Sequence, residues 1–368
     1  MSRATPRAML PADVRRDEPL APRTTLRLGG AADHFVEVAD DATLIDRLRW
    51  AKRAGHAVTI LGGGSNAIVP DEGVRGLVVR LVGSGSHVER VDGDRVEVAV
   101  RAGTSWDDFV RHAVEEELAG VECLAGIPGA VGATPIQNVG AYGQDVAETI
   151  VKVRAVDPTT LEAIELDAAT CGFAYRDSAL KRAPLDRRPI VTEVVFALRR
   201  GGAAARRYAE LERALAADAS LAQTRDTVIA LRRNKSMVLP PYAAPDDPNV
   251  RSAGSFFTNP IVARAIAEAV VGSALREGLV RDPNEVPRWP EGERTKLAAG
   301  WLIERAGFAR GHRVGTIGLS TAHALALVHH GGGTTHELLA FAQTIVETVQ
   351  TRFGVTLERE PRLLGVDG

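Results

Sequence analysis

Cysteine is nearly absent from this chain: Cys123 and Cys171 are the only two in 368 residues, far apart and in no CxxC or Cys/His cluster. That excludes a disulfide scaffold and a zinc site, points to a reducing compartment, and makes both thiols small core residues rather than nucleophiles. Long apolar runs are missing too. Nothing approaches the roughly 20 residues of a membrane span, and the N-terminus has no signal-peptide core. Charge of one sign is not in excess either; a formal net charge of -2 gives no global attraction to nucleic acid or an anionic membrane. No solenoid-period repeat occurs. Residues 1–22, rich in Arg, Ala and Pro, read as a flexible tail. Its arginines suit an organelle transit peptide, but Asp13, Asp17 and Glu18 speak against one. The length suits two or three domains of roughly 100–200 residues.

Glycine, by contrast, is plentiful and clustered. Between Gly126 and Gly143 five glycines and two prolines interrupt an apolar run. Such a segment lets backbone approach a flat or charged ligand while proline fixes its path; a tightly turning packed connection is the plainer alternative. A second cluster, Gly62-Gly63-Gly64-Ser65-Asn66, follows the apolar strand Val58-Thr59-Ile60-Leu61. Gly62-x-Gly64-x-x-Ala67 matches the dinucleotide pattern of a Rossmann loop. Its context does not, because Pro70, Gly73 and Gly76 break up the next ten residues before a second strand, Leu77–Leu81. The loop therefore joins two strands, and any phosphate it holds is met by backbone N–H groups rather than a helix end.

Periodicity predicts a helix from about Ala42 to Ala54, capped by Asp40 or Asp41 and ended by Gly55. A strand follows at Val96–Val100, then a helix from Thr104 or Ser105 to about Leu118 with Phe109, Val110, Ala113 and Val114 inward. Ile150–Val156 and Ile190–Leu198 read as strands flanking a polar patch from Cys171 to Ser178 that contains Tyr175-Arg176-Asp177-Ser178. Residues 201–234 read as helical and charged. A Pro-rich linker near Leu239–Pro248 opens a third unit with a Pro-rich loop at 281–292, a helix at 295–306, a strand at 324–329 and an amphipathic helix at 335–353.

Six motifs converge in order: Leu61–Asn66; Gly126–Gly129 with Pro135–Gly143; Tyr175–Ser178; Gly254-Ser255-Phe256-Phe257; Lys296–Glu304; and Glu360-x-Arg362. Together they closely resemble the UDP-N-acetylenolpyruvoylglucosamine reductases, the MurB flavoenzymes of peptidoglycan synthesis. The resemblance implies an α+β fold: a FAD-binding unit of the vanillyl-alcohol oxidase/PCMH type in two subdomains, 23–83 and 84–235. A substrate-binding α+β domain, 236–354, and a C-terminal segment, 355–368, would follow. It implies non-covalent FAD, NADPH as reductant, no metal, a nucleotide-sugar substrate, no obligate protein partner and a cytoplasmic location. FAD contacts would come from Leu61, Gly62, Gly63, Gly64, Ser65 and Asn66, and from Gly126, Ile127, Pro128, Gly129, Gln137, Asn138, Gly140, Ala141, Tyr142 and Gly143. An oxidase on the same fold, or a flavin binder without catalysis, are the competing readings.

The implied chemistry delivers a hydride from flavin N5 to an enolpyruvyl methylene carbon and leaves negative charge beside a carboxylate. A guanidinium suits that charge, and the resemblance assigns Arg176; a surface pair with Asp177 is the plain alternative. Ser255 is assigned as proton donor and Glu360 as the C-terminal glutamate that polarises or protonates the carboxylate region. Glu358 shares a strand face with Glu360 and stays a rival, and Arg359 and Pro361 depart from the family's commoner ending. Tyr175, Tyr208, Lys235, Asn259 and His323 are implied as substrate-binding residues, Tyr208 marking the longer, type I members. Lys235 as a solvated helix end, Tyr208 as a surface aromatic and His323 as a structural histidine remain open.

Overall fold

The computed structural model describes residues 9–366. Of the expected tail, residues 1–8 lie outside the described residues, but the remainder is not a tail. Arg15–Pro19 is a strand paired antiparallel with Ala31–Val38, Arg15 opposite Phe35. Composition misleads here because the arginines are partnered rather than solvated. Arg23 bonds Glu18 at 2.5 Å and Glu37 at 2.8 Å, and Arg15 and Arg23 both lie over the Phe35 ring. Leu20 is fully buried beneath them.

The first sheet runs in the order Arg15–Pro19, Ala31–Val38, Val74–Leu81, Val58–Leu61, its last three strands parallel. Parallel pairing needs a crossover, and the helix Asp41–Ala54 supplies it, burying Leu44, Leu48 and Ala51. Asp40, not Asp41, is the cap: its carboxylate accepts the Thr43 N–H at 2.8 Å, and Gly55 closes the helix at φ 71.

The second sheet is antiparallel, in the order Ala163–Asp167, Ile150–Val156, Ile190–Arg200, Arg95–Arg101, Ser86–Asp92. Ser105 caps the helix Trp106–Glu115, whose Trp106 and Phe109 pack on Phe196 of the central strand. Residues 201–234 are helical only in part. Ala209–Ala214 and Leu221–Asn234 are helices, but Ala205 gives its N–H to the buried Glu122 carboxylate at 2.8 Å rather than to a preceding turn.

In the third unit the helices Arg264–Arg276, Ala299–Arg305 and Thr335–Phe353 surround two small sheets. The last helix has the bounds read from the sequence, fixed by a Thr334/Glu337 capping box and by Gly354 at φ 68. The helix expected over 295–306 starts late. Arg294–Leu297 is instead a strand, paired across a turn at Gly292 with Arg288–Glu291, inside what reads as loop. The main core here also takes in Leu26, Leu28 and Ile68 of the first unit with Phe256, Phe257 and Leu357. Both cysteines are buried and unpaired, and among the described residues no helix is long and apolar enough to cross a membrane.

Two neighbouring glycines behave differently. Gly64 sits at φ 71, and a Cβ there would lie 2.1 Å from the Arg23 carbonyl oxygen; at Gly62 it would meet only Ala133 Cβ, at 3.5 Å. Gly64→Ala is expected to destabilise the protein by about 1–3 kcal/mol or more, whereas Gly62→Ala stays within about 1 kcal/mol of wild type, measured by urea unfolding.

Candidate active site

A cleft of about 740 Å³ lies where the three units meet, and both glycine clusters form its wall. Their contact is backbone to backbone: a Cβ on Gly63 would lie 2.7 Å from Gly129 Cα. Side chains fasten the same junction. Ser65 Oγ donates to the Pro128 carbonyl at 2.7 Å, and Asn66 Nδ2 donates to Gln137 Oε1 at 2.7 Å. Leu61 through Asn66, Ile127, Pro128, Gly129, Gln137 and Gly140 all line the cleft.

The rest of the expected cofactor set stands behind that wall. Gly126 gives its N–H to Asp107 at 2.6 Å. Asn138, buried at φ 46, donates to the Ala174 carbonyl and accepts from the Ala147 N–H, so its amide shapes the loop. Tyr142 is buried against Tyr208 and beneath Lys235, Ala141 pairs with Gln144, and Gly143 packs on Arg207.

Arg176 sits at the apex of a turn closed by reciprocal Ala174/Asp177 backbone bonds, at φ 53 in the left-handed region. Asp177 is taken by Arg182, not by Arg176. Arg176 Nη2 instead donates to the Gly140 carbonyl at 2.5 Å, Nη1 to that of Asn138 at 3.4 Å, and Nε lies 3.5 Å from Glu360 Oε1. Lys181 Nζ donates to the Arg176 carbonyl at 2.7 Å and bolts the turn to the short helix that Ser178 caps.

Glu360 reaches the cleft on an extended segment held on both sides. Its N–H donates to the Phe256 carbonyl at 2.9 Å, and two residues later the Arg362 N–H donates to the Asn66 carbonyl at 3.0 Å. Glu358, exposed, does not line the cleft. Burial pushes the Glu360 carboxyl above the usual carboxylate range, with Arg176 and Lys181 opposing. The same pairing brings in Ser255, which stands on the cleft wall just before the buried Phe256 and Phe257. Its Oγ lies 3.5 Å from His323 Nε2. Burial first, then Lys235, Arg310 and Arg232, push His323 down to about 4.

None of the five expected substrate residues forms the cleft wall itself. His323 backs Ser255. Tyr175 is flanked by Arg176 at 5.5 Å and Lys296 at 4.6 Å. Lys235 is no solvated helix end, since its Nζ bonds Glu210 at 2.5 Å. Tyr208 is 43 % exposed at the start of Ala209–Ala214, and Asn259 Oδ1 accepts the Ala299 N–H at 2.9 Å, holding a helix start. Sequence reasoning missed Lys181, Arg188 and Arg232, all on the wall. Arg232 is 8 % exposed, donates through Nη2 to the Met237 carbonyl at 2.7 Å and has no protein partner at Nε. Burial pushes it down to about 10. No local pattern marks it, because it stands beside Arg233 on a charged helix.

Comparison with known proteins adds independent findings. Residues 32–161 match the family model described as FAD binding domain, and 246–364 that of the UDP-N-acetylenolpyruvoylglucosamine reductase C-terminal domain. The chain is 47% identical over 358 residues to UDP-N-acetylenolpyruvoylglucosamine reductase from Thermobifida fusca, spanning 95% of this chain and 98% of that one. It is 41% identical over 360 residues to the protein of that name from Mycobacterium tuberculosis, 94% of each chain. The crystal structure of UDP-N-acetylenolpyruvylglucosamine reductase (MurB) from Thermus caldophilus aligns with a TM-score of 0.62 at 25% identity, covering 95% of this chain and 99% of that chain.

The raised Glu360 carboxyl has a testable sign. An acid with a higher folded than unfolded pKa favours folding while protonated, and that contribution is lost as pH rises through the folded value. Glu360→Gln does not ionise, so its melting temperature relative to wild type is expected to climb as pH rises above the ordinary carboxylate range, read by thermal unfolding across pH.

Proposed function

The chain belongs to the UDP-N-acetylenolpyruvoylglucosamine reductase family, and from that membership we propose that it reduces UDP-N-acetylglucosamine enolpyruvate to UDP-N-acetylmuramate. It is an FAD-dependent oxidoreductase of peptidoglycan precursor synthesis; NADPH as the reductant and the cytoplasm as its location are part of the proposal. One observation carries the reading furthest: Arg176 and Glu360, 3.5 Å apart, share a cleft with Ser255 and with two glycine loops in backbone contact. On this reading residues 23–83 and 84–235 hold the cofactor, 236–354 hold the nucleotide sugar, and 355–368 carry Glu360.

The cleft fits a flavin nucleotide. At Gly63 a side chain would collide with the Gly129 backbone, and Gly129 sits at φ 139, where a side chain is strained, so peptide groups form the surface offered to a flat ring or a pyrophosphate. Arg232 lines the same space, and its buried Nε has no protein partner. Leu61–Asn66, Ile127–Gly129, Gln137 and Gly140 would hold FAD without a covalent bond, with Gly126, Asn138 and Ala141–Gly143 setting the loop behind them. When bound, FAD supplies the hydride, from N5 to the methylene carbon of the enolpyruvyl ether.

The chain's own residues deal with the charge and the proton. Two of Arg176's N–H groups are spent on the Asn138 and Gly140 carbonyls, which fixes the plane of the guanidinium; the rest of its fork meets the substrate carboxylate. Glu360, with its carboxyl raised by burial, holds a proton more readily than an exposed glutamate and donates it as a hydrogen bond to the same carboxylate region. Ser255 Oγ–H gives its proton to the carbon bearing the ether oxygen. Lys235, Asn259, Tyr175 and Tyr208, which stand off the cleft wall, are assigned to the nucleotide-sugar side on the family resemblance alone, and NADPH uses the cleft before the sugar in a ping-pong cycle.

Mixing the NADPH-reduced protein anaerobically with the enolpyruvyl sugar, and in a parallel arm with oxygenated buffer lacking the sugar, tests substrate and reaction type together, because reoxidation by the sugar is expected to outrun reoxidation by oxygen. Ser255→Ala is expected to slow that reoxidation by ~10²–10⁴-fold. Turnover unchanged by this substitution, or protein isolated mildly without flavin, would sink the assignment.

A further inference from the structure

We propose that His323 is a positioning residue for Ser255: its Nε2–H donates a hydrogen bond to Ser255 Oγ, aims the hydroxyl proton into the cleft and holds the oxygen's charge as that proton leaves. The inference rests on Ser255 being the proton donor proposed above.

The geometry comes first. Nε2 lies 3.5 Å from Oγ, and the two turns that carry these side chains are locked together. The Phe256 N–H, next to Ser255, donates to the Leu325 carbonyl at 2.7 Å, two residues beyond His323. The His323 turn is rigid in its own right. Buried Ser320 Oγ accepts the N–H groups of Ala322 and His323 at 3.1 and 3.2 Å, and the His323 carbonyl accepts the Ala326 N–H at 3.1 Å. Catalytic hydrogen bonds are long in unliganded proteins and tighten around substrate.

Chemistry then sets the direction. For Ser255 to give its own proton to carbon, Oγ must accept from its neighbour, so His323 must present a proton at Nε2. A neutral imidazole with Nε2–H does this. The ring is kept neutral by its burial and by Lys235, Arg310 and Arg232 around it, with Glu304 opposing. In the step itself the Oγ–H bond breaks as the carbon–hydrogen bond forms, leaving an alkoxide on which the Nε2–H bond strengthens. A water proton restores the hydroxyl after product leaves. An unpaired serine hydroxyl has no such support for the charge.

The test compares holoenzyme variants at the sugar-reducing half-reaction. His323→Leu is expected to lower kcat ~10- to 100-fold with KM little changed. The solvent deuterium isotope effect should grow, because proton delivery becomes limiting. His323→Gln, whose amide N–H can reach Oγ, should recover most of the rate. If the leucine variant does not fold, His323→Asn, one methylene shorter than Gln, takes its place with the same kcat loss expected. Equal rates in the Leu and Gln variants, or a loss confined to KM, would overturn the inference. Ser255→Ala runs alongside: unchanged turnover there defeats the Ser255 reading itself, whereas a slow Ser255→Ala beside an unimpaired His323→Leu defeats the His323 inference alone.

Discussion

Asn66 is where the three parts of this molecule are tied into one site. Its side-chain amide donates to Gln137 in the long glycine/proline segment and lies 3.5 Å from the Glu360 carbonyl, while its own carbonyl accepts the Arg362 N–H. Through one residue the first glycine loop, the second and the C-terminal strand hold a common register. That strand pairs in parallel with Ala67–Ile68 on one side and bonds Phe256 and Thr258 on the other, so Glu360 and Ser255 are fixed to each other by main chain. Arg176 joins them by its side chain, which donates to the main-chain carbonyls of Asn138 and Gly140. Main-chain groups take part in most of these ties, so the positions of Arg176, Ser255 and Glu360 follow the backbone closely.

The electrostatics of the cleft reverse those of the whole chain. The formal net charge is -2, yet Lys52, Arg176, Lys181, Arg187, Arg188, Arg232 and Arg362 line the cleft against Asp186 and Glu360. An excess of positive charge lining a cleft favours an anionic ligand such as a diphosphate or carboxylate. Within it, Arg176 and Lys181 oppose the upward push of burial on Glu360, while His323 is kept neutral first by its own burial and then by Lys235, Arg310 and Arg232.

Much of this was legible in the sequence where the rule is local. Pro70, Gly73 and Gly76 exclude a helix after the first glycine loop, and the chain there does pass to the strand Val74–Leu81. Caps and periodicity place the helices Asp41–Ala54 and Thr335–Phe353 within a residue. Reading failed where a distant partner overrides local preference. The strand Arg15–Pro19 exists because Glu37 and Phe35 hold the arginines, residues 201–207 run without regular structure past Glu122, and Arg294–Leu297 is a strand because Arg288–Glu291 lies beside it. At the site, motifs marked Arg176, Ser255 and Glu360, and periodicity could not separate Glu360 from Glu358; the cleft does, since Glu360 lines it while Glu358 is exposed outside it. Lys181 and Arg232 left no trace in the sequence, since a charged residue in a charged helix looks solvated until its surroundings are known.

The C-terminal strand also fixes when the site can exist. Glu360 follows Arg176 and Ser255 in the chain, and it enters the cleft on a segment that pairs with Ala67–Ile68 and with the Phe256 segment, both made long before it. A ribosome releasing this polypeptide from its N-terminus can have the two glycine loops, the Arg176 turn and the Ser255 turn already outside the exit tunnel while the acidic partner of Arg176 is still unsynthesised. The Arg176–Glu360 pair therefore forms only after both loops and both turns have been made. Partial chains carry the two glycine loops of the cleft without its buried acid.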